Sequence, residues 1–235
     1  MHHQLQPTHR QPMPQRLNKY LAANLGISRR EADDLIATGQ VTIDGQPATL
    51  GRRIEEGGAV AVNGKPVKTT TAVYLMFNKP PGYVSSRRAQ GIAPTLYELL
   101  PKEFQKLKTV GRLDKDSSGL ILLTSDGDFA FSMTHPKFRK NKTYHVLLES
   151  PLAPLHQQMI ADFGINLTDG ISKMSLTALD DSRKNWQVEL AEGRNRQIRR
   201  TFGALGYTIK KLHRISFGPY TLGDLTSGKW EVLDP

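Results

Sequence analysis

Arg112, Asp114, Lys115 and Asp116 crowd one turn between two apolar runs, TVGRL at 109–113 and LILLT at 120–124. A carboxylate beside a guanidinium stays ionised, and an ionised carboxylate held at a turn can act as nucleophile or general base. An ordinary polar turn is the plain alternative. Asp114, Asp116, Ser118 and Gly119 also open like a calcium-binding loop, but the twelfth position, which should be a bidentate Glu, is Ser125. The flanking runs read as strands and not as the helices such a loop needs, so calcium is set aside.

A second signal is cationic. Between Arg183 and Arg214 there are nine Arg and Lys against two Glu, a local balance of 9 − 2 = +7. On a helix, Arg196, Arg199 and Arg200 share one face and Ile198, Phe202 and Leu205 the other. Such a helix buries one side and offers guanidiniums on its opposite side. A solvated surface face is the usual reading of a charge run, but nearly unmixed sign over this length favours phosphate contact. Lys137, Arg139, Lys140 and Lys142 lead into Tyr144. An aromatic beside cations suits stacking on an extruded base, although Tyr144 also fits a strand core.

The whole chain agrees with a polyanionic partner. Its 235 residues carry 32 Lys and Arg against 22 Asp and Glu, a net charge of +10. Nucleic acid leads, with an anionic membrane surface second. The absence of cysteine removes disulfides, thiolate zinc sites, iron–sulfur clusters and cysteine nucleophiles. The seven His are scattered without metal spacing, no GxSxG elbow appears, and the stretch Gly58 to Lys65 has one residue too many for a phosphate loop. A structural zinc site, a serine hydrolase and an NTPase are therefore not expected. No apolar run approaches the roughly 20 residues of a bilayer span, and the first 15 residues lack a signal peptide's apolar centre, so a cytoplasmic protein without a membrane partner is expected.

These groups must be positioned by folded elements. Residues 1–15, rich in His, Pro and Gln, are expected to form a disordered arm. Leu17, Tyr20, Leu21, Ala23 and Leu25 recur at helical spacing up to Gly26, and Ser28 with Glu31 has capping-box spacing for a second helix over Ala32, Leu35 and Ile36. Arg29 and Arg30 sit in its first turn, where the helix dipole disfavours cations, which suggests a functional reason for them. Short strands follow around Asp44-Gly45 and Asn63-Gly64 turns. That makes a small module over 16–70, and a larger domain over 71–235 follows.

In the larger domain, strands are expected at Tyr74–Phe77, Lys108–Leu113, Leu120–Thr124, Thr143–Leu148, Met174–Ala178, Gln187–Leu190 and Ile209–Leu212. Helices are expected at Phe129–Met133, Pro154–Phe163 and Arg194–Leu205. Several strands follow one another through turns, which points to a mixed or antiparallel sheet in an α+β fold.

Phe77-Asn78-Lys79-Pro80-Pro81-Gly82, Gly111-Arg112-Leu113-Asp114 running on to Ser118-Gly119-Leu120, Lys142-Thr143-Tyr144, and Glu192-Gly193-Arg194-Asn195-Arg196-Gln197-Ile198-Arg199-Arg200 together resemble the RsuA/RluB/RluE/RluF family of ribosomal RNA pseudouridine synthases. RLNKYLAANLGISRREADDLI resembles the RNA-binding module named after ribosomal protein S-four, so the likeness covers 16–235. It implies an isomerase that detaches uracil from ribose, turns it and rejoins it through a ring carbon, with neither cofactor nor metal. Asp114 takes the place of the family's aspartate, as nucleophile or as base for a sugar proton. Tyr144 takes the place of the aromatic that stacks on the target base, and Arg199 that of the basic residue paired with the aspartate.

The target base must leave its stack, which costs a few kcal/mol drawn from remote binding. Arg16, Lys19, Arg29, Arg30, Arg52 and Arg53 in the first module, and Lys79, Arg112, Lys142, Arg194, Arg196 and Arg200 in the second domain, are the candidate RNA contacts. The wording of Gly111–Ser117 and Asn195–Arg200 is closer to family members acting on large-subunit RNA, RluF-like, while Glu231 stands after Trp230 where many members have Arg. The expected partner is ribosomal RNA, with transfer RNA second, and the expected state a monomer. A catalytically silent RNA-binding or assembly factor is the rival reading, against which stands the joint presence of Asp114, Tyr144 and Arg199. A duplex-DNA binder is a weaker rival, because its two helices lead into hairpins without a groove-reading face.

Overall fold

The computed structural model describes residues 14–87 and 91–234, so most of the expected arm lies outside the described residues. Its last two positions do not, and Gln15 with Arg16 forms a short strand paired with Ile54 and Arg53, a partner too distant in sequence for composition to reveal. The chain divides into two compact units, Met1–Thr71 and Ala72–Pro235.

In the first unit the helix Leu17–Leu25 stops at Gly26, which turns left-handed at φ 70°. The next helix, Arg29–Ala37, starts with both halves of the capping box: Glu31 N–H donates to Ser28 Oγ at 3.1 Å, and Ser28 N–H to the Glu31 carboxylate at 2.6 Å. A four-stranded antiparallel sheet orders as Gln46–Pro47, Val41–Ile43, Val60–Val62 and Lys65–Pro66. Asp44 and Asn63 take positive φ at its turns, as the Asx-Gly pairs require. Leu17, Leu21, Ala32, Ile36, Val41 and Val60 meet in one core.

Among the described residues of the second unit, nine strands form one sheet. Its path runs Ser175–Ala178, Asn185–Leu190, Lys142–Leu148, Ile209–Phe217, Ser118–Thr124, Tyr74–Lys79 and Trp230–Val232. Lys108–Val110 also pairs with Ser118–Thr124, and Tyr220–Thr221 with Ile209–Phe217. The pairs are antiparallel except where Ile209–Phe217 runs parallel to Ser118–Thr124, so the sheet is mixed and the fold α+β. Leu75, Phe77, Ile121, Val146, Trp186 and Val188 belong to one core cluster, and Met76, Val110, Leu120, Leu122 and Phe217 to another. Neighbours in sequence alternate between them, as a pleated strand covered on both faces must, and Ser118–Thr124 is buried along its full length.

Several boundaries differ from the expected ones: the strand from Ile209 runs on to Phe217 and that from Tyr74 to Lys79, and three further shifts bear on the site. The strand expected to reach Leu113 ends at Val110 because Gly111 turns the chain at φ 73°. The helix expected over Pro154–Phe163 is α-helical to Gln158 and then widens into a π turn over Met159–Phe163. The helix expected from Arg194 begins at Gln197, because Arg196 is left-handed at φ 47°. A hairpin, Ile165–Leu167 with Gly170–Ser172, was not expected at all.

The parallel step needs one glycine. Gly119, at φ 104°, lies so close to Arg214 that a Cβ there would meet the Arg214 carbonyl oxygen at 2.2 Å and its nitrogen at 2.6 Å. Backbone cannot move aside as a side-chain tip can, so Gly119→Ala is expected to cost about 3 kcal/mol of stability through overpacking and a disfavoured φ. Urea unfolding of the variant measures it; an unchanged midpoint would show that the two strands can separate without loss.

Candidate active site

The short strand ends at Val110 and the next strand begins at Ser118, and the loop between them carries Asp114. Lys79 fastens this loop. It is fully buried, and its ammonium donates to the carbonyls of Ser117 at 2.7 Å, Pro80 at 3.0 Å and Lys115 at 3.4 Å. Burial lowers its pKa to about 8, against the pull of Asp114 and Asp116, which favour the charged form. A side chain with no exposed surface cannot touch RNA, so the expected RNA contact at Lys79 is corrected to a brace beneath the Asp114 loop.

Tyr144 lies in the strand Lys142–Leu148, nearly buried, with Arg214 of the neighbouring strand as its register partner. Asp114 and Tyr144 line one cleft of about 940 Å³ in the second unit. Among the described residues, eight Arg and Lys line it against two carboxylates, Asp114 and Glu192, so it presents a positive field to an entering polyanion. Leu190, Ile198, Leu212 and Phe217 add apolar surface to the same walls, which suits the faces of a base.

The guanidinium facing Asp114 belongs to Arg196: its Nη1 stands 3.5 Å from Asp114 Oδ2, with Asp114 one quarter exposed. Arg199, expected in that role, is half-buried and donates instead to the Asp116 carbonyl at 3.1 Å and the Ile209 carbonyl at 3.3 Å. It therefore holds the far side of the same loop. The reason is the helix start: with Arg196 outside the helix, the three arginines do not share one helical face.

Two further expected RNA contacts turn inward. Arg200 donates to Asp169 through Nη1 and Nη2, at 2.9 and 2.7 Å, and Arg194 Nη1 donates to the same carboxylate at 2.9 Å. Arg194 also donates to the Gly170 and Ile171 carbonyls at 3.0 and 2.9 Å. Together they tie the unexpected hairpin to the helix Gln197–Ala204, and the adjacent guanidiniums hold the Asp169 carboxyl below its ordinary range. Arg112 is exposed at the cleft, and Lys142 is half-buried within it. In the first unit Arg16, Arg29, Arg30, Arg52 and Arg53 are exposed and Lys19 is half-buried. Arg29 reaches Asn18 Oδ1 at 3.2 Å, and Arg53 the Pro14 carbonyl at 2.7 Å.

Arg214 was missed. A signal existed: it falls on the same strand parity as Leu212, so a charge occupies an inward position. Among the described residues no group of three or more His, Asp or Glu is placed to hold a metal ion, and no helix is long and apolar enough to cross a membrane.

Comparison with known proteins adds independent observations. Residues 73–204 match the family model for RNA pseudouridylate synthase, and residues 15–58 match that of the S4 domain. The chain is 34% identical over 230 residues to the ribosomal large subunit pseudouridine synthase B of Bacillus subtilis, covering 94% of this chain and 93% of that one. It is also 34% identical over 224 residues to the ribosomal small subunit pseudouridine synthase A of Vibrio parahaemolyticus, covering 93% and 95%. A solved structure described as a pseudouridylate synthase superposes with a TM-score of 0.66 at 32% identity, over 93% of this chain and 96% of that one.

Proposed function

The chain belongs to the RNA pseudouridylate synthase family with an amino-terminal S4 domain, and from that membership and the cleft we propose that Asp114 is the residue through which it isomerises uridine to pseudouridine in ribosomal RNA. The observation that carries the assignment is the Asp114 carboxylate on a braced loop, facing a guanidinium 3.5 Å away at the edge of a cationic cleft that also holds Tyr144. The cleft is large enough for a nucleotide. Its cations receive the backbone, and its apolar walls receive the base.

In this reading the uridine leaves its stack and enters with its base against Tyr144. Asp114 then acts on the sugar, either by attack at C1′ or by taking the C2′ proton, and the C1′–N1 bond breaks. Arg196 keeps the carboxylate oriented, and Arg199 holds the loop from Asp116. The exposed arginines of the first unit supply phosphate contacts that position more than they read sequence. Large-subunit RNA is the target we favour, on the wording of Gly111–Ser117 and Asn195–Arg200, and the enzyme is read as a cytoplasmic monomer. The relatives act by name on both subunits.

The test is to incubate the purified chain with unmodified transcripts of both ribosomal RNAs and of transfer RNAs, then map pseudouridines. Gain in the large-subunit transcript is expected. Gain confined to the small-subunit RNA would move the substrate, and binding without gain in any RNA would leave the silent assembly factor as the better account.

A further inference from the structure

Among the described residues, two cations that line the Asp114 cleft have no carboxylate bound to them. Arg214 is 2% exposed; its Nε donates to the Leu120 carbonyl at 2.7 Å, and its Nη2 is buried without a hydrogen-bond partner. Lys142 Nζ donates to the main-chain carbonyls of Lys140 and Glu192, at 3.1 and 3.3 Å. Both crowd the ring of Phe217, with Nζ 5.2 Å and the Arg214 Cζ 4.9 Å from its centroid. The nearby carboxylates are engaged elsewhere: Glu192 with Arg194 and Gln197, and Asp114 with Arg196.

Burying a cation without a counter-ion is unfavourable, and two of them around one ring repel each other. This pair lines the same cleft as Tyr144 and Phe217. A neutral uracil gives such a pair little to bind. A detached one gives it a great deal, because when C1′–N1 breaks the electron pair stays on N1 and spreads to the O2 and O4 oxygens.

We propose that Lys142 and Arg214 form a cationic floor that stabilises the negative charge on uracil after it leaves C1′ and holds the base while it turns to present C5. The inference rests on the function proposed above and deepens it. The bonds and protons balance whichever way Asp114 acts on the sugar. If the carboxylate has bonded to C1′, that bond breaks as C5 attacks C1′; if it has taken the C2′ proton, that proton returns. In both cases the C5 proton is then lost, N1 gains one, and the formula is unchanged. The floor supplies field and no atoms, in a site where fixed charges act more strongly than in water.

Burial and the neighbouring Arg214 lower the Lys142 pKa to about 8, against the raising effect of Glu192. Arg112, Arg139, Lys140, Lys173, Arg194 and Arg196 are the other Arg and Lys around the cleft, and Asp114 is its remaining acid.

The test compares single-turnover cleavage of the N-glycosidic bond in a ribosomal RNA transcript carrying uridine or 5-fluorouridine at the mapped site. Fluorine makes uracil a better leaving group that needs less charge stabilisation. Arg214→Gln is expected to slow the uridine substrate by about 10²-fold, as loss of a preorganised donor does, and the fluorinated one at least tenfold less severely, with RNA affinity within about threefold. Lys142→Met should behave likewise. Lys142→Arg should retain more activity than Lys142→Met, and a fall in rate above pH 8, expected of the wild type, should be lost in it. The Lys142 variants carry the comparison if Arg214→Gln does not fold. Equal losses on both substrates, or losses confined to affinity, overturn the floor while leaving the proposed function intact. A wild-type chain that cleaves neither substrate overturns both.

Discussion

Asp114→Asn is expected to lower pseudouridine formation by roughly 10⁴-fold or more, the loss typical when a group acting on the reacting atoms is neutralised, while RNA affinity stays within about threefold. Asn keeps the size and the loop position, so the neighbourhood of Tyr144 and the cleft shape are preserved. It removes the charge that makes the oxygen a nucleophile or base. The sign of the affinity change also follows from charge: the cleft loses one of its two carboxylates, so phosphate binding should hold or tighten slightly. Single-turnover assay and filter binding on the same transcript measure the two quantities. Turnover near the wild-type rate would remove Asp114 from the chemistry and shift attention to Asp116 in the same loop.

Asp114 could be singled out from the sequence because its signal is local. Four charges between two apolar runs predict a polar turn between strands, and Gly111 and Ser118 bound that turn in the structure. The fold class was legible for the same reason, since strand alternation and Asx-Gly turns are short-range patterns. What periodicity could not reveal is where a helix begins when one residue turns left-handed. Arg196 at φ 47° separates itself from Arg199 and Arg200, which is why the guanidinium facing Asp114 is not the one helical spacing suggested. Long-range partners were equally hidden. Asp169 lies 31 residues before Arg200 and captures it together with Arg194, and only the hairpin that carries Asp169 makes the meeting possible.

Lys79 is the clearest case of a charge whose environment is made by distant chain, and Lys79→Met is expected to carry the second large effect. The strand Tyr74–Lys79 ends on it, a place where lysine ordinarily reaches water, but the loop 36 to 38 residues later folds over its ammonium. Methionine fills the stem volume and removes the donor, leaving the Ser117 and Pro80 carbonyls without it. An unsatisfied buried acceptor costs about 1–3 kcal/mol, so the net loss should be about 3 kcal/mol after the relief of burying no charge. Turnover should fall by roughly 10²-fold, because the Asp114 loop loses its brace and misplacement by an ångström is enough. The pH dependence separates this from a simple packing defect. Lys79 titrates near 8 when folded and near 10.5 when unfolded, so between those values the unfolded chain binds more protons and wild-type stability gains with rising pH. The variant lacks that gain. Urea unfolding at pH 8 and pH 10 should therefore show the gap between wild type and Lys79→Met widening with pH, and a constant gap would mean that the ammonium is not desolvated where it stands.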